Sequence, residues 1–201
     1  MSKIKSDYKE NVLTNNYNLV ILYSGGADSM YCLHTAIKGG YHPFILMIDY
    51  GQLHVAELDK AKEYLKRLNM LHHSQIISIK NLNIDSGLTN GKKSLYENEH
   101  EMYVPSRNMI FISIAASVAE SKGVPLIWYG ADLSDSENDF SDCKQDWIVK
   151  MNNLLNINGS KPIRLESPSL GMTKDSIVNI MKNILGVEYE KNVYSGYGEF
   201  G

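Results

Sequence analysis

The chain of 201 residues is 43% hydrophobic, which is enough apolar material for one sizeable core, so a single domain is predicted. Its net charge of -3, with 20 basic and 23 acidic residues and no long basic tract, argues against broad electrostatic binding to nucleic acid and leaves room only for a local patch. Residues 1–18 are polar and no apolar run reaches membrane-spanning length, so we expect a cytoplasmic protein without a signal peptide or membrane contact.

The first predicted strand ends in a turn that is suited to binding an anion. Residues 19–23 form an unbroken apolar run, typical of a strand buried on both faces, and residues 24–29 follow as SGGADS. The paired glycines allow a sharp bend that presents successive N–H groups, while Asp28 and Ser29 are suited to starting a helix. Neither a Walker loop nor a GxGxxG fingerprint occurs. On its own, this segment could equally be an ordinary Gly-Gly turn before a capped helix.

Strands and helices then alternate for some eighty residues. Residues 44–48 and 75–79 are predicted strands, and the intervening helices carry their apolar residues at helical spacing: Met30, Leu33 and Ile37 before Gly39, and Leu58, Ala61, Leu65 and Leu68. This alternation predicts an α/β fold with a parallel sheet and helices on both faces. Ligands of such sheets bind at the carboxyl ends of the strands, where both Ser24 and Asp49 lie.

The second half of the chain continues the pattern after a polar excursion over residues 80–102, which is long enough to be a functional cover or a disordered loop. A helix follows VPSRN, residues 126–129 and 163–165 are predicted strands, and residues 187–201 are predicted to be an irregular tail. Residues 1–17 are interpreted as a polar N-terminal extension and 18–201 as the domain. The apolar stripes of the later helices comprise Ile110, Ile114 and Val118; Ile148, Met151 and Leu155; and Ile177, Ile180, Met181 and Ile184.

Five segments together, SGGADS, DYGQLH, VPSRN, DFSDC and MTKDS, resemble the 7-cyano-7-deazaguanine synthases, a branch of the pyrophosphate-loop ATP pyrophosphatases. The similarity runs from about residue 18 to residue 186. It implies an adenine nucleotide alpha hydrolase-like fold and a ligase that uses ATP and Mg²⁺ to convert 7-carboxy-7-deazaguanine and ammonia into the nitrile. AMP and pyrophosphate would be released, and no direct contact with nucleic acid is expected.

The resemblance also implies roles for individual residues. Catalysis would depend on Asp28, Arg107 and Lys174; a guanidinium can bridge two α-phosphate oxygens, although both cations could instead lie on the surface at a helix start. His54 and Glu57, one helical turn apart, could face the pocket or simply begin a solvated helix. The nucleotide would contact Tyr23, Ser24, Gly25, Gly26, Asp28, Ser29, Asp49, Tyr50, Asn108 and Gly130, and the deazaguanine Gln52, His54, Asp132, Asp139 and Asp142.

The role of the acidic segment and the function of the chain each allow more than one interpretation. Asp139 or Asp142 could accept both the N1–H and the amino group of the base, or could cap the following helix. The rival functions are another amide-forming or tRNA-modifying ligase of the same superfamily, and a nucleotide-binding regulator without catalysis.

The sequence departs from the family at its zinc site, for which the family supplies four C-terminal cysteines. Residues 195–197 read Ser-Gly-Tyr where the family begins its cysteine set, and Cys32 and Cys143 alone cannot form a tetrahedral site. No zinc is therefore expected here, and the reaction could stop at the amide. That wall of the pocket could be replaced by Tyr194, Tyr197 or Phe200, or by the partner subunit of a homodimer.

Overall fold

Five parallel strands form the centre of the fold. The computed structural model describes residues 16–52, 55–82, 86, 88–89, 104–133, 140–158 and 161–193. The sheet has the order β3-β2-β1-β4-β5, and each neighbouring pair is parallel. Its strands are β1 (Leu19–Leu22), β2 (Pro43–Asp49), β3 (Ser74–Ser78), β4 (Leu126–Trp128) and β5 (Arg164–Glu166). This architecture confirms the predicted parallel sheet.

Helices connect the strands and complete the alternating pattern. The α-helices are α1 (Ala27–Lys38), α2 (Val55–Arg67), α3 (Arg107–Lys122), α4 (Gln145–Asn158), α5 (Lys174–Leu185) and α6 (Tyr189–Asn192). Short 3-10 turns occupy Leu71–His73, Lys80–Leu82, Ser141–Cys143 and Gly186–Glu188. No helix within the described ranges is both long and apolar enough to cross a bilayer.

Each face of the sheet packs against its own set of helices. Successive β1 side chains alternate, so that Leu19 and Ile21 face α1, α2 and α5, whereas Val20 faces α3 and α4. All three of these β1 side chains are fully buried, as the unbroken apolar run in β1 predicts. The two hydrophobic clusters confirm that helices cover both faces.

The strand order places a ligand-binding crevice at the carboxyl end of β1. The chain passes from β1 outward through β2 to β3, and then returns to the other side of β1 as β4. In open α/β sheets, such a reversal leaves a crevice between the two diverging connections, where ligands bind. The loops that follow β1 and β4 therefore meet at the predicted rim.

The buried stripe of α3 differs from the predicted one. Ile112, Ala115 and Ala119 are the fully buried residues, while Ile114 and Val118 are only partly buried beside them. Because α3 is apolar around much of its circumference, its periodicity does not select one face. The two alanines allow the helix backbone to approach the sheet, which explains why the smaller residues take the innermost positions.

The C-terminal part of the fold also corrects two expectations. Ile184 was predicted to line the core but is 47% exposed, because Ile177 and Met181 already fill the contact with the sheet. Residues 187–193 are not an irregular tail: α6 forms, and Tyr189 and Val193 are buried in the same cluster as α1 and α2. Burial of Tyr189 therefore stabilises a helix that the weak apolar periodicity of this segment does not predict.

Both polar segments lie largely outside the described residues. The end of the N-terminal extension is described, and Tyr17 packs against Phe44 with ring centroids 5.1 Å apart while its hydroxyl hydrogen-bonds His73 Nδ1 at 3.1 Å. Within the excursion, Ser86 and Leu88 are buried. These two residues are shielded from solvent, whereas Lys80 and Asn81 at the start of the segment are exposed.

Candidate active site

The loop after β1 directs backbone N–H groups toward one oxygen. The N–H groups of Ser24 and Gly25 donate to Ser29 Oγ at 3.2 and 3.1 Å, and this hydroxyl donates in turn to the Gly26 carbonyl at 3.0 Å. Ser24 Oγ accepts from the Gly26 N–H at 3.3 Å. The loop thus forms a concave set of donors, the arrangement that binds phosphate oxygens in other anion sites.

Glycine is required at the centre of this loop. Gly25 has φ +91°, and a Cβ there would lie 3.1 Å from Ala61 Cβ on α2. Gly26 is the N-cap of α1, which begins at Ala27, and this glycine has no side chain that could cap the helix. Asp28 and Ser29, predicted as residues suited to a helix start, lie in the first turn of α1. The carboxylate there interacts favourably with the positive end of the helix, and the Ser29 hydroxyl accepts from the loop N–H groups.

The loop after β4 touches α1 at Gly130. A Cβ on Gly130 would lie 2.7 Å from Asp28 Cβ and 2.9 Å from both Asp28 C and Ser29 N. No side chain fits within that space. Gly130 was predicted as a nucleotide contact, and the structure gives it a packing role that brings the β4 loop onto the first turn of α1.

Serine hydroxyls hold the β4 loop in this position. The Ala131 N–H donates to Ser167 Oγ and to Ser169 Oγ, both at 3.2 Å, and Ser169 Oγ donates to the Ala131 carbonyl at 2.8 Å. Sequence reasoning missed both serines, because SPSL after a short strand is typical of any turn. Ser169 is fully buried, which is the unusual feature that only the structure reveals.

Lys174, Asp28 and Asp132 form an ion-pair cluster above the loop. Lys174 Nζ hydrogen-bonds Asp28 Oδ2 and lies 3.3 Å from Asp132 Oδ2. The cation is presented by the first residue of α5, whose N-cap Thr173 accepts from the Ser176 N–H. The structure therefore brings two predicted catalytic residues together with Asp132, whose contact with the deazaguanine stays a prediction.

Burial dominates the electrostatics of this cluster. It raises the pKa of Asp28, Lys174 opposes that rise, and the neighbouring Asp132 carboxylate adds to it. Asp132 is 1% exposed, and Asp28 Oδ1 is buried without a hydrogen-bond partner among the described residues. Two close carboxylates with one shared cation are suited to accepting further positive charge.

A second group of residues gathers where β2 ends. Asp49 Oδ2 pairs with Lys80 Nζ at 2.9 Å, and the Tyr50 ring packs against Phe111 of α3 with centroids 5.3 Å apart. Burial raises the pKa of Tyr50, and the hydrogen-bonding guanidinium of Arg107 opposes that rise. The rim after β2 is therefore tied to the start of α3.

Arg107 and Glu57 lie at the starts of two helices and interact electrostatically. Arg107 is the first residue of α3 and follows Ser106, whose φ of +53° lies in the left-handed region. Glu57 lies in the first turn of α2, and burial raises its pKa to about 7 while Arg107 opposes the rise. Glu57 is partly exposed at this position, and a role for it in the pocket stays a prediction.

Three further predicted site residues differ in their burial. Tyr23 is 2% exposed and packs in the core with Leu19 and Ile21, so its side chain does not line the rim. Gln52 is also buried, and its Oε1 accepts from the Tyr50 N–H at 3.2 Å as a brace within the loop. Asn108 is half-buried in the first turn of α3.

The acidic segment is described only in part. Asp142 lies in the 3-10 turn before α4, where its carbonyl accepts from the Tyr129 hydroxyl at 2.7 Å and its Oδ1 accepts from Cys143 Sγ at 3.9 Å. His54 and Asp139 lie outside the described residues. Cys32 and Cys143 are buried on opposite faces of the sheet, and no group of three or more metal-ligating side chains occurs in the part of the chain described.

Known structures resemble this fold. U34-tRNA thiolase NcsA from Methanococcus maripaludis, solved with its [4Fe-4S] cluster, matches with a TM-score of 0.58 at 17% identity, over 96% of this chain and 65% of that one. A 4-thiouridine synthetase solved with RNA and bound ATP matches with a TM-score of 0.53 at 18% identity, over 88% of this chain and 43% of that one. These likenesses confirm the predicted fold.

Sequence comparisons identify the family. The 7-cyano-7-deazaguanine synthase of Psychromonas ingrahamii is 32% identical over 86% of this chain and 80% of its own length. The enzyme of the same name from Rickettsia canadensis is 36% identical over 89% of this chain and 84% of its own length. The family described as "Queuosine biosynthesis protein QueC" matches residues 18–199. The chain therefore belongs to the QueC family of queuosine biosynthesis proteins.

Proposed function

We propose that this chain is an AMP-forming ligase that converts 7-carboxy-7-deazaguanine and ammonia into 7-cyano-7-deazaguanine at the expense of ATP. The observation that carries this proposal is the anion-binding loop of Ser24 and Gly25 beside the Lys174 cluster, in a member of a family whose relatives bear the synthase name. The substrates would be small molecules, and the protein would act in the cytoplasm.

The loop after β1 would hold the β- and γ-phosphates. Its converging N–H groups and the positive end of α1 favour an anion there, and Ser29 Oγ would give way to phosphate oxygens as the acceptor. Lys174 can turn toward the same anion because its side chain is 45% exposed. These groups would stabilise pyrophosphate as it leaves.

Asp28 and Asp132 fit a magnesium ion. Mg²⁺ usually binds through one or two carboxylates together with substrate phosphates, and here two carboxylates adjoin the phosphate loop. The buried Asp28 Oδ1 that accepts no hydrogen bond from the described residues provides an oxygen for this purpose. When bound, the ion would neutralise charge on the leaving pyrophosphate. Zinc is not part of the proposal.

The reaction requires two activations of the same carbon. A substrate carboxylate oxygen attacks the α-phosphorus, and the bond from that phosphorus to the bridging oxygen breaks as pyrophosphate leaves. Ammonia then attacks the carbonyl carbon, loses a proton, and displaces AMP to give the amide. Adenylation of the amide oxygen, followed by loss of AMP and protons, gives the nitrile. Arg107 would stabilise the negative charge that develops at the α-phosphate in both activations.

The base of the substrate would be recognised by the acidic segment. One carboxylate can accept both the N1–H and the exocyclic amino group, and Asp142 is half-buried in the turn after the β4 loop. Asp139 would share this role. Such a site would prefer a deazaguanine over a substrate that lacks either donor.

Product analysis tests the proposal. The full chain is incubated with 7-carboxy-7-deazaguanine, ATP, Mg²⁺ and ammonium, and the products are identified by mass spectrometry. We expect substrate-dependent AMP together with the amide or the nitrile, while ADP as the main product would overturn the assignment. Ser24→Ala and Asp28→Ala should lose turnover yet keep the wild-type circular dichroism spectrum, since neither side chain belongs to the hydrophobic clusters of the core. Full turnover by either variant would show that the loop is structural.

A further inference from the structure

Three segments of the candidate site meet at the side chain of Ser169. This residue is fully buried and lies in the segment that connects β5 to α5. Its hydroxyl contacts the loop after β4, and it also lies beside α1. These elements carry Lys174, Asp132 and Asp28, respectively the first residue of α5, a member of the β4 loop and a member of α1. Ser169 therefore touches or adjoins every element that contributes to the Lys174 cluster.

The hydroxyl of Ser169 bonds to both backbone groups of one buried residue. Ser169 Oγ accepts from the Ala131 N–H at 3.2 Å and donates to the Ala131 carbonyl at 2.8 Å. One hydroxyl can do both, because it has a single donor and two acceptor lone pairs. Ala131 immediately precedes Asp132, and the peptide that joins them is planar. The bond to the Ala131 carbonyl therefore orients the backbone from which the Asp132 carboxylate projects.

Two backbone bonds hold the chain on the other side of Asp132. The Leu133 N–H donates to the Met172 carbonyl at 2.8 Å, and the Met172 N–H donates to the Ser169 carbonyl at 3.0 Å. Together with the Ser169 hydroxyl, these bonds form a clip, the serine clip, between residues 131–133 and 169–172. The second of these segments leads directly into α5, which begins at Lys174. The serine clip therefore fixes the two partners of the 3.3 Å ion pair relative to each other.

The helix α1 is joined to the serine clip through Cys32. This residue lies one helical turn after Asp28, on the same face of α1. Its thiol donates to the Tyr129 carbonyl at 3.6 Å. Burial raises the pKa of the thiol, the Asp28 carboxylate adds to the rise, and a hydrogen bond with Ser169 opposes it. The elements that carry all three charged residues therefore pack together at this point.

We propose that Ser169 is a positioning residue that holds Lys174 and Asp132 against the phosphate loop for the binding of pyrophosphate, an inference that rests on the proposed function. The serine acts through these two residues, because its own hydroxyl is engaged by Ala131. Without this hydroxyl, the buried Ala131 N–H and carbonyl lose a partner, which favours a shift of the two segments of the serine clip. The charged groups would then no longer be preorganised for the anion.

Ser167 provides an internal comparison. Its Oγ also accepts from the Ala131 N–H, at 3.2 Å, and donates to the Ala131 carbonyl at 3.3 Å. This bond to the carbonyl is longer than the 2.8 Å bond of Ser169, and Ser167 is only half-buried. Water can take the place of a half-buried hydroxyl more readily than that of a fully buried one. Loss of the Ser169 hydroxyl should therefore disturb the β4 loop more than loss of the Ser167 hydroxyl does.

The test measures the affinity of the full chain for pyrophosphate and for AMP, each with Mg²⁺, by equilibrium dialysis. The Lys174 cluster adjoins the loop for the β- and γ-phosphates, so Ser169→Ala should weaken pyrophosphate binding about tenfold and leave AMP binding unchanged. Ser167→Ala should weaken pyrophosphate binding less. A residue that only stabilises the fold would change both affinities alike or neither, and either result would overturn the proposal.

Asn152→Ala is the matched control, because Asn152 makes the same kind of double bond to the backbone elsewhere in the sheet. Its side chain accepts from the Leu165 N–H at 2.7 Å and donates to the Leu165 carbonyl at 3.0 Å. Leu165 is also buried, but these bonds join α4 to the middle of β5 and include no charged residue of the cluster. Asn152→Ala should lower the midpoint of unfolding in urea, as Ser169→Ala does, and leave both affinities at their wild-type values.

A double-mutant cycle tests whether Ser169 acts through Lys174. Lys174→Met should itself weaken pyrophosphate binding. Adding Ser169→Ala to this variant should weaken binding further by less than about twofold, since the cation that Ser169 positions is already absent. Additive effects of the two substitutions would overturn the positioning role.

Turnover of the wild type separates this inference from the proposed function. AMP formation together with the expected affinities supports both. AMP formation with wild-type pyrophosphate binding by Ser169→Ala overturns the positioning role alone. The expected affinities without AMP formation overturn the proposed function, and they leave Ser169 as a residue that positions an anion site. A wild type that neither binds pyrophosphate nor forms AMP overturns both.

Discussion

Gly130→Ala tests whether Gly130 positions the site residues, because the substitution should reduce turnover more than it reduces the free energy of unfolding. The new Cβ would lie 2.7 Å from Asp28 Cβ, and carbon atoms prefer about 3.5 Å or more, so the β4 loop or the start of α1 must move by about 0.8 Å. The other close atoms, Asp28 C and Ser29 N, belong to the backbone and cannot rotate away. Overpacking of this kind costs about 1–3 kcal/mol in the free energy of unfolding.

The displacement should affect turnover more than it affects folding. It carries Asp28 away from Lys174 and shifts Ser29 Oγ, on which the loop N–H groups converge. A misplacement of about 1 Å can reduce the rate about 100-fold. Turnover is measured as AMP released at saturating substrates, and stability as the midpoint of unfolding in urea.

Gly123→Ala provides the control for this experiment. Gly123 has φ +68° at the end of α3, and a Cβ there meets no atom within 4 Å. The left-handed conformation should cost about 1–2 kcal/mol, similar to the overpacking in Gly130→Ala, but leave turnover unchanged. Equal turnover of the two variants would refute the argument that Gly130 positions the phosphate loop.

Three other substitutions test separate parts of the structure. Lys174→Met removes the cation that opposes the raised pKa of Asp28, so the folded state should bind a proton more readily than the unfolded state. The midpoint of unfolding should therefore rise on acidification more than it does in the wild type. Parallel pH profiles of the two proteins would contradict this prediction. Asp142→Asn replaces one acceptor oxygen by an NH2 donor, which leaves one of the two substrate donors unmet at about 1–3 kcal/mol and should raise KM for the deazaguanine about tenfold. An equal change in KM for ATP would count against recognition of the base. Tyr189→Ala should lower the free energy of unfolding by about 3 kcal/mol, as for other buried aromatic residues. Val187→Ala, at a position 90% exposed, should change this free energy little. Similar effects of the two substitutions would show that α6 is not part of the core.

The sequence predicts the framework of the fold because local patterns determine it. The apolar run of β1, the turn chemistry at Gly25 and the alternation of strands with helices each depend on neighbouring residues, and together they imply where the carboxyl ends of the strands lie. The predicted rim, with Ser24 and Asp49 at two strand ends, follows from this alternation alone.

The details of the site depend on contacts between distant parts of the chain. Lys174 meets Asp28 across 146 positions, and no local pattern indicates that a first-turn lysine will reach an aspartate on another helix. The need for glycine at position 130 likewise arises from the backbone of α1. In α3, the nearly uniform apolar composition hides the buried face, which only the packing of Ala115 against the sheet selects.

Because β2 extends further than β1, the rim has two levels along the direction of the strands: a lower one at the end of β1 and an upper one at the end of β2. Leu22, the last residue of β1, pairs with Leu46, while β2 continues through Asp49. At a rise of about 3.3 Å per residue, the end of β2 stands about 10 Å higher than that of β1. A ligand that reaches both levels must therefore be an elongated molecule, whereas a fragment that fits one level leaves the other accessible. Pyrophosphate on the lower level and adenosine on the upper one should consequently bind together, and neither should displace the other.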